Sequence, residues 1–156
     1  MVHPSYVPPG RTYFAKNVLE PMYLSTKEVI KEKVKNLPEV GLQLDQWTST
    51  SQYPHGDIYA TWISQDFEIH NVNLGTFSFT GIHHSADSIF NSVDALVNEY
   101  NLQNSKRYYI TDNHSSCKGA FQGGRLGCFA HTLHLIVEAG LNIDEVSDLH
   151  YRLCQK

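Results

Sequence analysis

Residues 85–112 constrain the fold more than any other stretch. Ser85 is a good helix N-cap, and Asp87 lies in the first turn, where its charge complements the dipole. Ile89, Phe90, Val93, Leu96, Val97 and Tyr100 follow at helical spacing and give one broad apolar face. The chain then crosses to a short strand, Lys106–Asp112. A strand–helix–strand step of this length is right-handed and sets its last strand parallel to an earlier one. Three strand-like runs precede the helix, at 40–48, 58–64 and 67–79. Gln52–Asp57 reads as turn material, and Gln65-Asp66 is short enough for a hairpin. Gly75 inside the third run predicts a bulge or bend. An antiparallel meander followed by a parallel crossover strand is therefore expected, in an α/β domain.

Two of these strands end in an aspartate. Val40–Ser49 carries Asp45, and Lys106–Asn113 carries Asp112. Alternation places Asp45 on one face with Gln43 and Trp47, and Asp112 on one face with Ile110 and Tyr108. A carboxylate at a buried strand end is costly unless compensated. Two from neighbouring strands could share a divalent ion. The plainer alternative is that each caps a strand end or starts a turn.

The 156 residues suffice for one domain with a core, and the 41% hydrophobic content fits a folded chain. No apolar run reaches membrane-spanning length, and residues 1–10 lack a signal-peptide core. They read instead as a flexible, Pro-rich terminus. Cys117, Cys128 and Cys154 are too sparse for a disulfide framework and point to reduced thiols in the cytosol or nucleus. The net charge is −4, unevenly spread. Residues 37–105 hold eight acidic residues and no Lys or Arg. Such a surface does not bind a phosphate backbone unaided.

Residues 11–38 read as a helical lead-in. Pro21 is expected to interrupt it, and Ser25–Glu28 fits a capping box that starts a second helix. Ile30, Val34 and Leu37 form its apolar stripe, and Pro38 ends it. Lys27, Lys31, Lys33 and Lys35, with Glu28 and Glu32, make either a solvated face or a DNA contact. Past Asp112 a short helix is expected, capped near Asn113. Gln122–Gly127 is a Gly-rich loop without the Lys-Ser/Thr ending of a phosphate cradle. Cys128–Ala139 reads as an apolar helix stopped by Gly140, and 142–156 as the start of a further helical region.

Four motifs come in a fixed order: Leu44-Asp45-Gln46-Trp47-Thr48-Ser49, Tyr59-Ala60-Thr61-Trp62-Ile63, Thr111-Asp112-Asn113, and Cys128-Phe129-Ala130-His131-Thr132-Leu133-His134-Leu135. The series resembles the catalytic domain of hAT-superfamily transposases and their domesticated BED-type zinc-finger relatives, from about Arg11 to about Leu141. The resemblance implies a ribonuclease-H-like mixed sheet in βββαβα order after an N-terminal helical segment, with residues 39–141 forming part of that domain, truncated before the family's insertion domain. It implies that Asp45 and Asp112 are the first two catalytic, metal-binding acids of an Asp-Asp-Glu triad that uses Mg²⁺ or Mn²⁺. The third acid of the family lies further on. Glu138 and Glu145 match nothing in that segment, so the chain alone is expected to be inactive and to hold metal weakly. Trp47, Asn113, Cys128 and His131 are expected near the site.

The resemblance makes Cys128-x-x-His131 a family hallmark. The two residues could ligate zinc from one helix face, but Cys117, Cys154, His114 and His134 offer no paired spacing for a second ligand pair. Zinc is therefore not expected in this segment, and packing beside the acids is the favoured role. The nine histidines, His83 and His84 among them, carry no nuclease or hydrolase motif. The resemblance further implies a nuclear protein that meets DNA through other domains, with a homodimer segment beyond Lys156 and no membrane partner. Two functions stay open: a relic of a DNA-cutting transposase, or a domesticated non-cutting module for DNA binding, transcriptional regulation or protein interaction. Trp47, Trp62, Phe77, Ile89, Phe90, Val93, Leu96 and Ile110 are expected in the core, with the 128–139 helix left under-covered.

Overall fold

The computed structural model describes residues 7–51, 53–78 and 85–142. Strands β1 (Glu39–Thr48), β2 (Pro54–Ile63), β3 (Ile69–Ser78), β4 (Lys106–Thr111) and β5 (Arg125–Gly127) form one five-stranded sheet in the order β3-β2-β1-β4-β5. β1, β2 and β3 pair antiparallel. β4 lies parallel to β1, and β5 parallel to β4. This is a mixed α/β architecture, and its first and fourth strands lie side by side.

Among the described residues, one face of the sheet is covered. Val40, Leu42, Ile58, Ala60 and Leu74 point to it and are buried against α3 (Ala86–Glu99). Ile89, Val93 and Val97 supply the helix side, joined by Tyr100, Leu102, Cys117 and Phe121. Val34 closes the core from the N-terminal helix, with Ile30 and Leu37 beside it. The Tyr100 hydroxyl donates to the Leu74 carbonyl at 2.7 Å, which satisfies a buried polar pair. Ser85 caps α3 by accepting from the Ser88 amide.

Leu74 opposes no residue of β2. The register jumps from Tyr59 opposite Asn73 to Ile58 opposite Gly75. That bulge changes which residues of β3 face the core. Leu74, the extra residue, points inward and is buried. After it, Gly75 lies against Leu96, and Phe77 packs over Gly56.

Several expectations need correction. Trp47 and Phe90 are not core residues, at 40% and 44% exposed. Trp47 sits on the uncovered face, stacked on His55. Phe90 falls beside the α3 stripe and leans on Phe121. Ile110 also lies on the uncovered face, with its Cδ1 against Gly41. Trp62, Phe77 and Leu96 pack at the core's margin. β2 starts at Pro54 rather than Ile58, because Gly56 lets Phe77 pack against the strand and Pro54 needs no donor at a strand's first position. The β2–β3 connection spans Ser64–Glu68, with Phe67 exposed at a φ of 61°.

Pro21 does not interrupt the lead-in. α1 (Arg11–Phe14), a π turn (Ala15–Leu19) and α2 (Glu20–Val34) run on as one helical stretch. The wider π turn directly precedes the proline, where an α-helix would meet its ring and its missing N–H. Ser25 lies inside α2 and donates to the Met22 carbonyl, so no capping box forms. Lys31 pairs with Glu28 and Lys35 with Glu32, as a solvated face would. Lys27 turns away to an ion pair with Glu99, which raises its pKa and ties α2 to α3.

The order after β4 is longer than βββαβα. The short helix expected near Asn113 is α4 (Ser115–Ala120), which starts after His114 without a side-chain cap, and the Gly-rich loop contains β5. α5 runs Phe129–Leu141, through Gly140 to Asn142. It buries no residue. Phe129, Leu133, Leu135, Ile136 and Val137 are all exposed, as expected for an under-covered helix. None of the described helices is long and apolar enough to cross a membrane. Residues 1–6 of the Pro-rich terminus, His83, His84, Glu145, Cys154 and the region 143–156 lie outside the described residues.

Candidate acidic site

The uncovered face carries the polar ends of the strands. Across β1 and β2, Gln43 opposes Tyr59, Asp45 opposes Asp57, and Trp47 opposes His55. Across β1 and β4, Gln43 opposes Ile110, the last paired position. Asp112 is two residues beyond Ile110 and Asp45 two beyond Gln43, so alternation sends both aspartates to one face at one end of the sheet. They line a single cavity of about 530 Å³ with Gln43, Leu44, Gln46, Tyr59, Ile110, Cys128 and His131. Residues from all four ordered motifs thus line it. A smaller cleft joins Gln46, Trp47 and Thr48 to Asp112 and His114.

The two acids are held differently. Asp45 is exposed, whereas Asp112 is half-buried. Asp112 Oδ1 accepts from the His114 amide at 3.1 Å, which turns the chain out of β4. Asn113 does not face the cavity's lining set; its Oδ1 accepts from Arg125 Nη2 at 2.8 Å. Arg125 also donates to Thr111 Oγ1 at 2.8 Å and to the Asp112 carbonyl. Nothing in the spacing singled Arg125 out, except that it is the one charge in a Gly-rich run ahead of Cys128. Cys128 stands at the N-terminal boundary of α5, where its amide donates to the Thr111 carbonyl at 2.8 Å. That bond carries His131, one turn on, to the cavity wall.

Cys117 lies behind the site. It is 1% exposed, and Gln46 Nε2 donates to its Sγ at 3.5 Å. Burial, with the neighbouring Asp112 carboxylate, pushes its thiol from an ordinary 9.0 up to about 12. The folded protein therefore keeps a proton that the unfolded chain releases, so this group's contribution to stability is intact below pH 9 and is lost as the pH climbs toward 12. Iodoacetamide at pH 8 is expected to leave Cys117 unmodified until denaturant is added. Peptide mapping that finds it alkylated in the native protein would contradict this burial.

Among the described residues no group of three or more His, Cys, Asp or Glu side chains is placed to hold a metal ion. The cavity offers the Asp45 and Asp112 carboxylates and the Gln43 and Gln46 amides as oxygen donors, with the Cys128 thiol and the His131 ring also on its wall. The two carboxylates are hard oxygen donors of the kind Mg²⁺ or Mn²⁺ takes, with water completing the shell. Asp57 shares the face, but its Oδ1 accepts from Thr76 Oγ1 at 2.5 Å and it does not line the cavity. Glu138 also lies off the cavity; it is exposed, 3.9 Å from His134.

No protein-family model matches the chain, and no curated protein matches it.

Proposed function

We propose that this chain carries the first two acidic positions of a hAT-like, ribonuclease-H-like transposase domain, in a form that does not cut DNA by itself. The observation that carries the reading is the convergence of Asp45, Asp112, Cys128 and His131, from separate ordered motifs, on one cavity. The strand order β3-β2-β1-β4-β5, with β1 and β4 parallel, agrees with the sheet expected of that domain. Asp45 and Asp112 would hold the ion. When bound, Mg²⁺ or Mn²⁺ supplies Lewis-acid activation of a phosphodiester and its attacking oxygen. The protein's own part is to present one carboxylate from β1 and one from just past the adjacent β4, and to wall the cavity with Cys128 and His131.

Among the described residues two acids reach the cavity, which suits both a relic of a DNA-cutting transposase and a domesticated, non-cutting module. In both readings a nuclear setting and DNA contact through other domains follow from the resemblance. Supercoiled plasmid incubated with the purified chain and Mn²⁺ is expected to stay intact. Nicking that disappears in each of Asp45→Ala, Asp112→Ala and Glu138→Ala would make the chain a self-sufficient nuclease instead.

A further inference from the structure

Arg125 lies on a three-residue edge strand, yet its guanidinium brackets one of the two acids. Nε donates to Thr111 Oγ1 at 2.8 Å, and Nη2 donates both to the Asp112 carbonyl and to Asn113 Oδ1, the latter at 2.8 Å. None of these bonds uses the Asp112 carboxylate. The guanidinium thus holds the Asp112 backbone carbonyl and the side chains of the residues before and after it, without engaging the carboxylate. Two further bonds hold β5 itself to β4: the Tyr109 amide donates to the Gly124 carbonyl, and the Cys128 amide to the Thr111 carbonyl. β5 therefore has its own attachments, and the three Arg125 bonds are surplus to them.

We propose that Arg125 is a positioning residue that fixes Asp112 for cation binding at the cavity it shares with Asp45. This rests on the reading of those aspartates as a metal site. A planar guanidinium suits the task because it presents several donors in a fixed fork. A lysine has one flexible ammonium and cannot span Thr111, Asp112 and Asn113 together. β4 ends at Thr111, so Asp112 has no strand pairing to define its backbone. The side chain of β5 takes over that role one residue past the ladder.

The test uses Mn²⁺ alone as probe, with amide signals read by nuclear magnetic resonance. In the unaltered chain, substoichiometric Mn²⁺ should broaden the amides of Asp45 to Trp47 and Asp112 to His114 first. Arg125→Met and Arg125→Lys should each weaken the Mn²⁺ affinity about tenfold, the scale typical of lost outer-shell support. The Tyr109 and Cys128 amides should stay protected from hydrogen exchange in both. Asn113→Ala removes a single exposed acceptor and should weaken the affinity by a smaller factor, in case the Arg125 variants do not fold. Methylguanidinium added to Arg125→Ala should recover part of the loss, which a purely structural defect would not allow. No broadening at either aspartate in the unaltered chain would overturn the metal-site reading and this proposal with it. Normal broadening there, with unchanged affinity in Arg125→Met or, if that variant is unfolded, in Asn113→Ala, would overturn this proposal alone. Loss of amide protection at Tyr109 and Cys128 in a folded Arg125→Met would make Arg125 a sheet staple and also overturn it.

Discussion

Ile89→Ala is expected to cost about 2–5 kcal/mol of stability, and Phe90→Ala less than half as much. The order reverses what side-chain size alone would give. Ile89 is fully buried at 0% exposure, enclosed between α3 and the covered face of the sheet, so its truncation leaves a cavity. Phe90 is 44% exposed and lies beside the core, its ring 6.3 Å from that of Phe121. Its removal forfeits part of one ring contact and opens space that water can fill. Urea unfolding of both variants at matched m-values measures the difference. A loss from Phe90→Ala equal to that from Ile89→Ala would mean that the ring is enclosed.

Asp112→Asn should abolish Mn²⁺-induced broadening around the cavity, and Asp45→Asn should reduce it nearly as far. Each substitution is close to isosteric, so it removes a charge without opening a hole. With two carboxylates at the cavity, losing either leaves one charged oxygen donor group and water, which is little better than a surface aspartate. Asp112 is given the larger effect because its backbone is fixed by Arg125 and its Oδ1 by the His114 amide, whereas the Asp45 side chain is exposed. A fixed ligand loses less freedom on binding than a mobile one. Asp57→Asn serves as the control, since Asp57 lies outside the cavity and is already bonded to Thr76. Broadening that survives Asp112→Asn but vanishes in Asp57→Asn would place the ion on the β2–β3 side.

What the sequence made legible was periodic. Alternation put Asp45 with Gln43 and Trp47, and the strand register keeps them so; it also put Asp112 with Ile110, and both line the cavity. Helical spacing identified Ile89, Val93 and Val97 as a buried stripe, and Ser85 as its cap. Gly75 marked the bulge to within one residue. What stayed hidden depended on partners distant in the chain. Pro54 and Gly56 look like turn residues until Phe77 is seen lying over Gly56. β5 is three residues long, and only its pairing to Tyr109, Ile110 and Thr111 makes it a strand. Ser25 matched a cap motif, yet the helix had begun before it, because a π turn let the chain pass Pro21. Trp47 reads as core by hydrophobicity, but its strand face is the one that α3 does not cover. Arg125 matters through three acceptors that no local pattern links to it.

The parallel pairing of β1 with β4 also dictates an order of assembly. The β1–β2 and β2–β3 ladders join neighbours in the chain and close through short connections. The β1–β4 ladder cannot form until the whole crossover, α3 included, has been brought back across the sheet. Closing long loops is slow because their entropy is spent before any contact is made. Asp45 is therefore in place early, as part of a hairpin, and meets Asp112 only at the late, long-range step. Any cation that bridges them binds the finished sheet and not the meander. It would act as a latch on the crossover, slowing its release while leaving the hairpins' own closing rates untouched.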